Sequence, residues 1–315
     1  MSGAGRPPPV RFPRDPAVSR TGPVAVPTGG PGTHEGRAPG KVILVGEHAV
    51  VYGYRAIAAA VDLFTTVRLH ERPGRSEVED TDIWDARLAD ALATLVPPEG
   101  VGVSISSDLP TGCGMGSSAA LAVAAVRAAA RREGRVASFE ECFERGMAIE
   151  RVFHGNPSGL DHTVSAMGGA VIYRRGERAT PLRVATPIRL VVANTGAPGD
   201  TAEMVAGVRD RKPEVELLRI GALSEMVAAR LALGRSVGPF LHEAHWLLRR
   251  IGVSTRELDE LCRAMEAAGA EGAKLAGAGG GGIAIALVTP ETEDAVRHAA
   301  SRLVDDRVYA VSFGG

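Results

Sequence analysis

Several things are scarce in this sequence of 315 residues, and each scarcity closes a class of function. The only cysteines are Cys113, Cys142 and Cys262, far apart and with no CxxC or His/Cys cluster. This excludes a disulfide framework and a structural zinc site, and it fits a reducing, cytoplasmic setting. No apolar run approaches the roughly 18 residues that cross a bilayer. Lys and Arg total 36 against 37 Asp and Glu, a formal net charge of −1, so bulk charge points to neither nucleic acid nor an anionic membrane. No His–Asp pairing beside a candidate serine nucleophile is suggested, which sets a serine hydrolase aside. What remains, 45% hydrophobic and 23% charged, is the composition of a soluble globular protein.

Residues 1–36 differ from the rest. They are rich in Pro and Gly, and their longest apolar run is Val24-Ala25-Val26, too short for a signal-peptide core. They read as a disordered tail, with an arginine-bearing organelle-targeting segment as the alternative, and the folded body is expected to start near Arg37. From there, "KVILVG", "GVSISSDL", "GGAVIYR", "IRLVVANTG", "GGIAIALV" and "RVYAVSF" read as strands. "YRAIAAAVDLFTTVRLHE" supplies one or two more, and "TDIWDARLADALATLV" has helical spacing. A helix is predicted over 117–132, Ala-rich and ending in two arginines before Gly134. Ser138 with Glu141, and Ser254 with Glu257, have the S-x-x-E spacing of capping boxes opening helices to about Phe153 and Ala268. Residues 213–251 are helical in pattern, and Thr289-Pro290 opens another helix. Intermixed strands and helices make an α+β or α/β chain, with a lobe boundary in 185–200.

The stretch "DLPTGCGMGSSAALAVAAV", residues 108–126, sets flexible backbone directly against a helix former. Gly112, Gly114 and Gly116 can take φ > 0 and let another group approach the main chain. Set before a helix whose first N–H groups lack internal partners and whose dipole favours negative charge, they make an anion site, most naturally for phosphate. The bland alternative is a tight turn with Ser117 or Ser118 as N-cap. No Lys follows the last Gly as a Walker loop requires, and Ser117 stands where a dinucleotide fingerprint has its third Gly. A serine hydroxyl beside bound phosphates is a reasonable Mg²⁺ ligand.

A nucleotide site needs further groups. On the 138–153 helix, with Phe143 as the zero of a 100° wheel, Phe139 and Met147 fall within about 40° and Glu150 at about 20°. Glu150 therefore lies in the apolar stripe and needs a metal, a cation or hydrogen bonds. Asp161 follows the break at "HGNPSG" and reads either as a general base toward a hydroxyl or as a turn residue. His154 and His162 are ambiguous and are not taken as catalytic. In "PGKVILVGEHAVVYG", Lys41 starts a strand and Glu47 and His48 lie just beyond it, where site residues gather; the bland alternative is a solvated Lys and an exposed turn. Gly277, Gly279, Gly280, Gly281 and Gly282 exclude a regular helix and imply a backbone pressed against another segment or a ligand.

These segments, in this order from Ala38 to about Val288, resemble the GHMP kinase superfamily of galactokinases, homoserine kinases, mevalonate kinases and phosphomevalonate kinases. "DLPTGCGMGSSAA" is similar to its phosphate loop and "KLAGAGGGG" to its C-terminal glycine motif. "APGKVILVGEHAVVYG" and "ERVFHGNPSGLD" look like the mevalonate kinase branch. The resemblance implies a two-lobe α+β fold, with an N-terminal lobe like the second domain of ribosomal protein S5 over 37–190 and a ferredoxin-like C-terminal lobe over 191–315. It implies ATP as co-substrate, Mg²⁺ as cofactor and a small hydroxylated acid as acceptor, with phosphorylation of the primary hydroxyl of mevalonate to 5-phosphomevalonate. Asp161 would match the catalytic base and Lys41 the lysine beside the hydroxyl and γ-phosphate. Gly112, Gly114, Gly116, Ser117 and Ser118 would hold phosphates, and Ser118 and Glu150 the Mg²⁺. Glu47, His48, Ser158 and Thr201 would line the substrate, and Gly277, Gly279, Gly280 and Gly281 would form the C-terminal motif. No nucleic acid or membrane partner is implied, and a homodimer is left open. Two departures concern the acceptor: Ala244-His245 stands where mevalonate kinases usually carry Asn-His, and Leu121 where several relatives have Tyr. The alternatives are a kinase of another small alcohol (phosphomevalonate, a sugar or homoserine) and a non-catalytic sensor on the same fold.

Overall fold

The computed structural model describes residues 32–83, 85, 87–110, 112–154 and 159–314. The chain forms two compact units. The first comprises residues through Pro39 with Leu63–Leu109 and Ser117–Ala166; the second comprises Gly40–Asp62, Pro110–Gly116 and Met167–Gly315. A single cut near residue 190 does not describe this division, because strands β1 (Thr33–Val45) and β2 (Ala56–Arg75) each run from one unit into the other. β1 also begins at Thr33, ahead of the Arg37 expected as the start of the folded body.

In the first unit β3 (Glu77–Thr81) lies parallel to β4 (Glu99–Ser107), and β4 lies antiparallel to the outer half of β2. Val67, Leu69, Val103 and Ile105 alternate onto one buried face, as period-2 patterning requires. The helix predicted over 81–96 is reduced to α1 (Leu88–Leu92), with residues 84 and 86 outside the described set. Helix α2 (Ser117–Arg132) has the predicted bounds. Its alanines let β1 come close: a Cβ on Gly36 would lie 2.0 Å from the Ala124 carbonyl oxygen. Arg127 ties the same elements, donating to the Arg37 carbonyl at 2.7 Å and the Ala166 carbonyl at 3.0 Å.

Helix α3 (Phe139–His154) is capped as expected by the Ser138 hydroxyl, which accepts the Glu141 N–H at 3.1 Å. The other half of the box goes elsewhere. Glu141 binds Arg145 at 2.8 Å and also Arg135, and these guanidinium groups hold its carboxyl down to about 2. The buried face of α3 runs through Cys142, Gly146, Ile149 and Glu150, while Phe139, Phe143 and Met147 are half-buried on its flank. The expected stripe is thus displaced by one residue, with Glu150 still on the inner side. Helix α4 (Leu160–Met167) closes the unit, its Ser165 hydroxyl donating to the Pro39 carbonyl at 2.8 Å.

In the second unit β5 (Ala170–Tyr173) pairs antiparallel with Ala56–Ala59 of β2, and β6 (Thr180–Leu182) with β5. Then follow β7 (Ile188–Asn194), helices α5 (Thr201–Arg211), α6 (Glu214–Ala232), α7 (Gly238–Arg250) and α8 (Arg256–Ala267), β8 (Gly272–Ala276), β9 (Ile283–Val288), α9 (Glu293–Val304) and β10 (Val308–Phe313). The sheet order β10-β7-β9-β8, antiparallel throughout, is that of a ferredoxin-like βαββαβ unit. Central β9 is buried along its whole length, hence its continuous apolar run.

Two helix starts differ from the sequence reading. The cap of α8 is Thr255, whose hydroxyl accepts the Leu258 N–H at 3.3 Å, because the Ser254 hydroxyl is committed to Asp259 at 2.6 Å. Helix α9 starts at Glu293, after a turn in which Thr292 accepts the Thr289 N–H at 3.1 Å.

Candidate functional site

The second unit carries the glycine loop and its lysine. Lys41 lies in β1 and is 4% exposed, so the solvated-lysine alternative fails. Its backbone N–H donates to the Met115 carbonyl and its Nζ to the Gly114 carbonyl, both at 2.8 Å. One strand residue thereby pins the loop twice and lays a positive charge along it. Gly112, Gly114 and Gly116 have φ of 70°, 89° and 74°, the left-handed region that disfavours any side chain. A Cβ on Gly112 or Gly114 would meet nothing within 4 Å, so these two glycines serve backbone conformation and leave room in front of it. Burial pushes the thiol of Cys113 up, which excludes it as a nucleophile.

Glu47 and His48 follow β1 and are 2% and 5% exposed, which overturns the reading of an exposed turn. His48 adopts φ 59°, an uncommon value for a residue with a Cβ and the kind of strain that collects at functional sites. Its Nε2 lies 2.8 Å from the Ala278 carbonyl, and burial pulls its pKa below the usual histidine value. Glu47 Oε1 is paired with Lys274 of β8, a residue the sequence reading passed over inside the glycine motif. The available signal was a lone charge between the apolar neighbours of a buried strand.

The glycine motif is mostly a backbone junction. A Cβ on Gly279 would lie 2.0 Å from the Val253 carbonyl oxygen, and one on Gly281 would lie 2.5 Å from that of Ala197. Gly280 N–H donates to Val253 and Gly282 N–H to Ala197, each at 2.8 Å. Of the two readings offered for these glycines, close approach of another segment accounts for Gly279 and Gly281, while Gly277 (φ 100°) faces open space. Gly282 brings this junction to the glycine loop, its would-be Cβ being 3.4 Å from the Cys113 carbonyl oxygen. Thr201 is the exposed first residue of α5, capped by Asp200, whose carboxylate accepts the Glu203 N–H at 3.0 Å.

The first unit carries the acidic groups. Ser117 and Ser118 open α2, whose first turn holds no acid to offset the helix dipole. The Ser118 hydroxyl donates to Glu150 Oε1 at 3.0 Å, and Glu150 is 4% exposed. One partner of this carboxylate on the inner face of α3 is therefore a hydroxyl on α2, and the two form a hard-oxygen pair of the kind that Mg²⁺ prefers. Asp161 stands half-buried in the first turn of α4. Burial brings its neighbour His162 down to about 4, which makes that ring a neutral packing group rather than an acid–base partner. Ser158 lies outside the described residues, as does the side chain of His154. Among the described residues no group of three or more His, Cys, Asp or Glu could hold a metal, and no helix is long and apolar enough to cross a membrane.

Residues 85–169 match the family model described as GHMP kinases N terminal domain, and residues 228–306 that described as GHMP kinases C terminal. A mevalonate kinase of Thermococcus sibiricus is 38% identical over 302 residues, covering 82% of this chain and 90% of the relative. One from Pyrococcus abyssi is 39% identical over 293 residues, covering 79% and 87%. The crystal structure of L. major mevalonate kinase in complex with R-mevalonate superposes with a TM-score of 0.82 at 29% identity, over 93% of this chain and 98% of that one.

Proposed function

The chain belongs to the GHMP kinase family, and from that membership we propose how its residues divide the work of a kinase. It is an ATP-dependent phosphotransferase acting on an alcohol, and its acceptor is the primary hydroxyl of mevalonate, giving 5-phosphomevalonate. The observation that carries this is the similarity to mevalonate kinases along nearly their whole length.

Phosphoryl transfer asks a protein mainly for positioning and for stabilisation of charge. The backbone N–H groups of the Gly112–Gly116 loop and the first turn of α2, with Ser117, are assigned to the triphosphate. Lys41, already fixed on the loop, places its charge for the γ-phosphate and the acceptor hydroxyl. Asp161 is assigned as base: the hydroxyl proton passes to its carboxylate, the hydroxyl oxygen bonds to the γ-phosphorus, and the bond from that phosphorus to the bridging oxygen breaks to release ADP. Glu47 and His48 are assigned to the rest of the acceptor, with Ser158 and Thr201 as further polar lining. Ser118 and Glu150 would hold Mg²⁺, which when bound supplies charge neutralisation across the phosphate oxygens. Three free cysteines, all buried, support a cytoplasmic setting.

The test is ADP release with Mg·ATP and a panel of mevalonate, phosphomevalonate, galactose and homoserine. Turnover with mevalonate alone is expected. Turnover with another member instead would keep the kinase and discard the acceptor; ATP binding with no turnover at all would make the protein a sensor.

A further inference from the structure

None of the roles above uses Lys274, although it is the largest side chain in the interior with no solvent exposure. It sits in β8 between Ala273 and Leu275, both buried to 0% exposure. Its Nζ donates to Glu47 Oε1 and, at 3.4 Å, to the Ile43 carbonyl. Burial pulls its pKa down while the Glu47 charge opposes that shift. As a stabilising device this is a poor choice, because a well-packed apolar pair is often as stable as a buried ion pair or more so. The arrangement is also half finished. Glu47 Oε2 is buried and has no hydrogen-bond partner among the described residues. A buried carboxylate oxygen left open is exceptional and calls for an explanation such as a ligand.

His48 points the same way. The Ala278 carbonyl can only accept, so the His48 Nε2 facing it bears the proton. Burial keeps the ring neutral, which leaves Nδ1 as an acceptor. Lys274 and Ala278 belong to one short segment, and each holds one member of the Glu47-His48 pair. The atoms left over, Glu47 Oε2 and His48 Nδ1, both accept. Such a pair takes O–H donors and repels a carboxylate.

We infer that Lys274 is a positioning residue for the acceptor alcohol, fixing Glu47 so that Oε2 accepts a hydrogen bond from a substrate hydroxyl. The inference rests on the reading that Glu47 faces mevalonate. Glu47→Gln keeps an oxygen for Lys274 but turns an N–H toward the hydroxyl, and Lys274→Met removes the clamp at similar length.

The experiment measures KM for mevalonate, KM for ATP, kcat and Tm for wild type, Glu47→Gln, Lys274→Met and the double variant. Each single change should raise KM for mevalonate about tenfold or more, the worth of a hydrogen bond to a charged group, with KM for ATP within about threefold. The double variant should match Glu47→Gln within about threefold, since Lys274 acts only through Glu47. A merely structural lysine would lower Tm and leave the mevalonate KM in place, which overturns the inference. So does an unchanged KM in Glu47→Gln, or additive losses in the double variant. Should Lys274→Met fail to fold, the double variant, which loses both charges together, decides against Glu47→Gln alone. Wild type silent toward mevalonate would instead sink the acceptor assignment itself.

Discussion

Lys41→Met separates two contributions of one side chain. Methionine keeps the unbranched stem and most of the volume of a residue that is 4% exposed, and it removes the ammonium that donates to the Gly114 carbonyl at 2.8 Å. In the free protein a hydrogen bond from a charged donor is worth about 1.5–3 kcal/mol, and the relief of burying that charge works against the loss. At roughly 2–4 °C per kcal/mol for a protein near this size, Tm should fall by only a few degrees. In the transition state the same charge faces the phosphoryl group as it transfers. Removing one preorganised electrostatic group of this kind costs roughly 3–4 kcal/mol, or about 10²–10³ in kcat. The assay is steady-state ADP release at saturating mevalonate and Mg·ATP, with ATP affinity and Tm measured on the same preparation. A kcat within about threefold of wild type at unchanged Tm would refute the assignment. A fall in Tm beyond about 15 °C would mean that the lysine chiefly holds the loop, since that exceeds what one such bond can supply.

Asp161→Asn should fold normally and bind ATP while losing transfer by about 10²–10⁴, the range for a positioned base; wild-type-like turnover would remove Asp161 from the mechanism. Gly279→Ala should cost several degrees of Tm or prevent folding, since φ is 83° and the new methyl would lie 2.0 Å from the Val253 carbonyl oxygen, whereas Gly112→Ala meets no atom and should be the milder change by differential scanning fluorimetry. Stability should fall with acid in a defined window. The unfolded chain takes up a proton on His162 near pH 6.5 that the folded chain refuses until about 4. The contribution is therefore whole above pH 6.5 and is lost as pH falls toward 4, by about 1.4 kcal/mol per unit within that window. Chemical denaturation at stepped pH reads it, and a flat stability from pH 6.5 to 4 would contradict it.

What was legible from sequence was local. Helix α2 is set by its alanines and terminal arginines, and the φ > 0 positions of the loop by its glycines, so both could be read without knowing any neighbour. Glu150 was legible too, because helical period alone puts it on the inner side of α3 even though the stripe's centre lies on Cys142, Gly146 and Ile149. Family membership followed from short segments in order.

Tertiary structure decided the pairings. Ser254 has the spacing of a cap but its hydroxyl goes to Asp259, and Glu141 has the spacing of a box partner but goes to arginines. A side-chain hydrogen-bonding group takes the strongest partner within reach, and sequence spacing does not show who is within reach. Lys274 meets Glu47 across 227 residues and Ala278 meets His48 across 230. No local period carries such contacts; they exist only once β8 and the end of β1 share one interior, where an unpaired charge is too costly to leave.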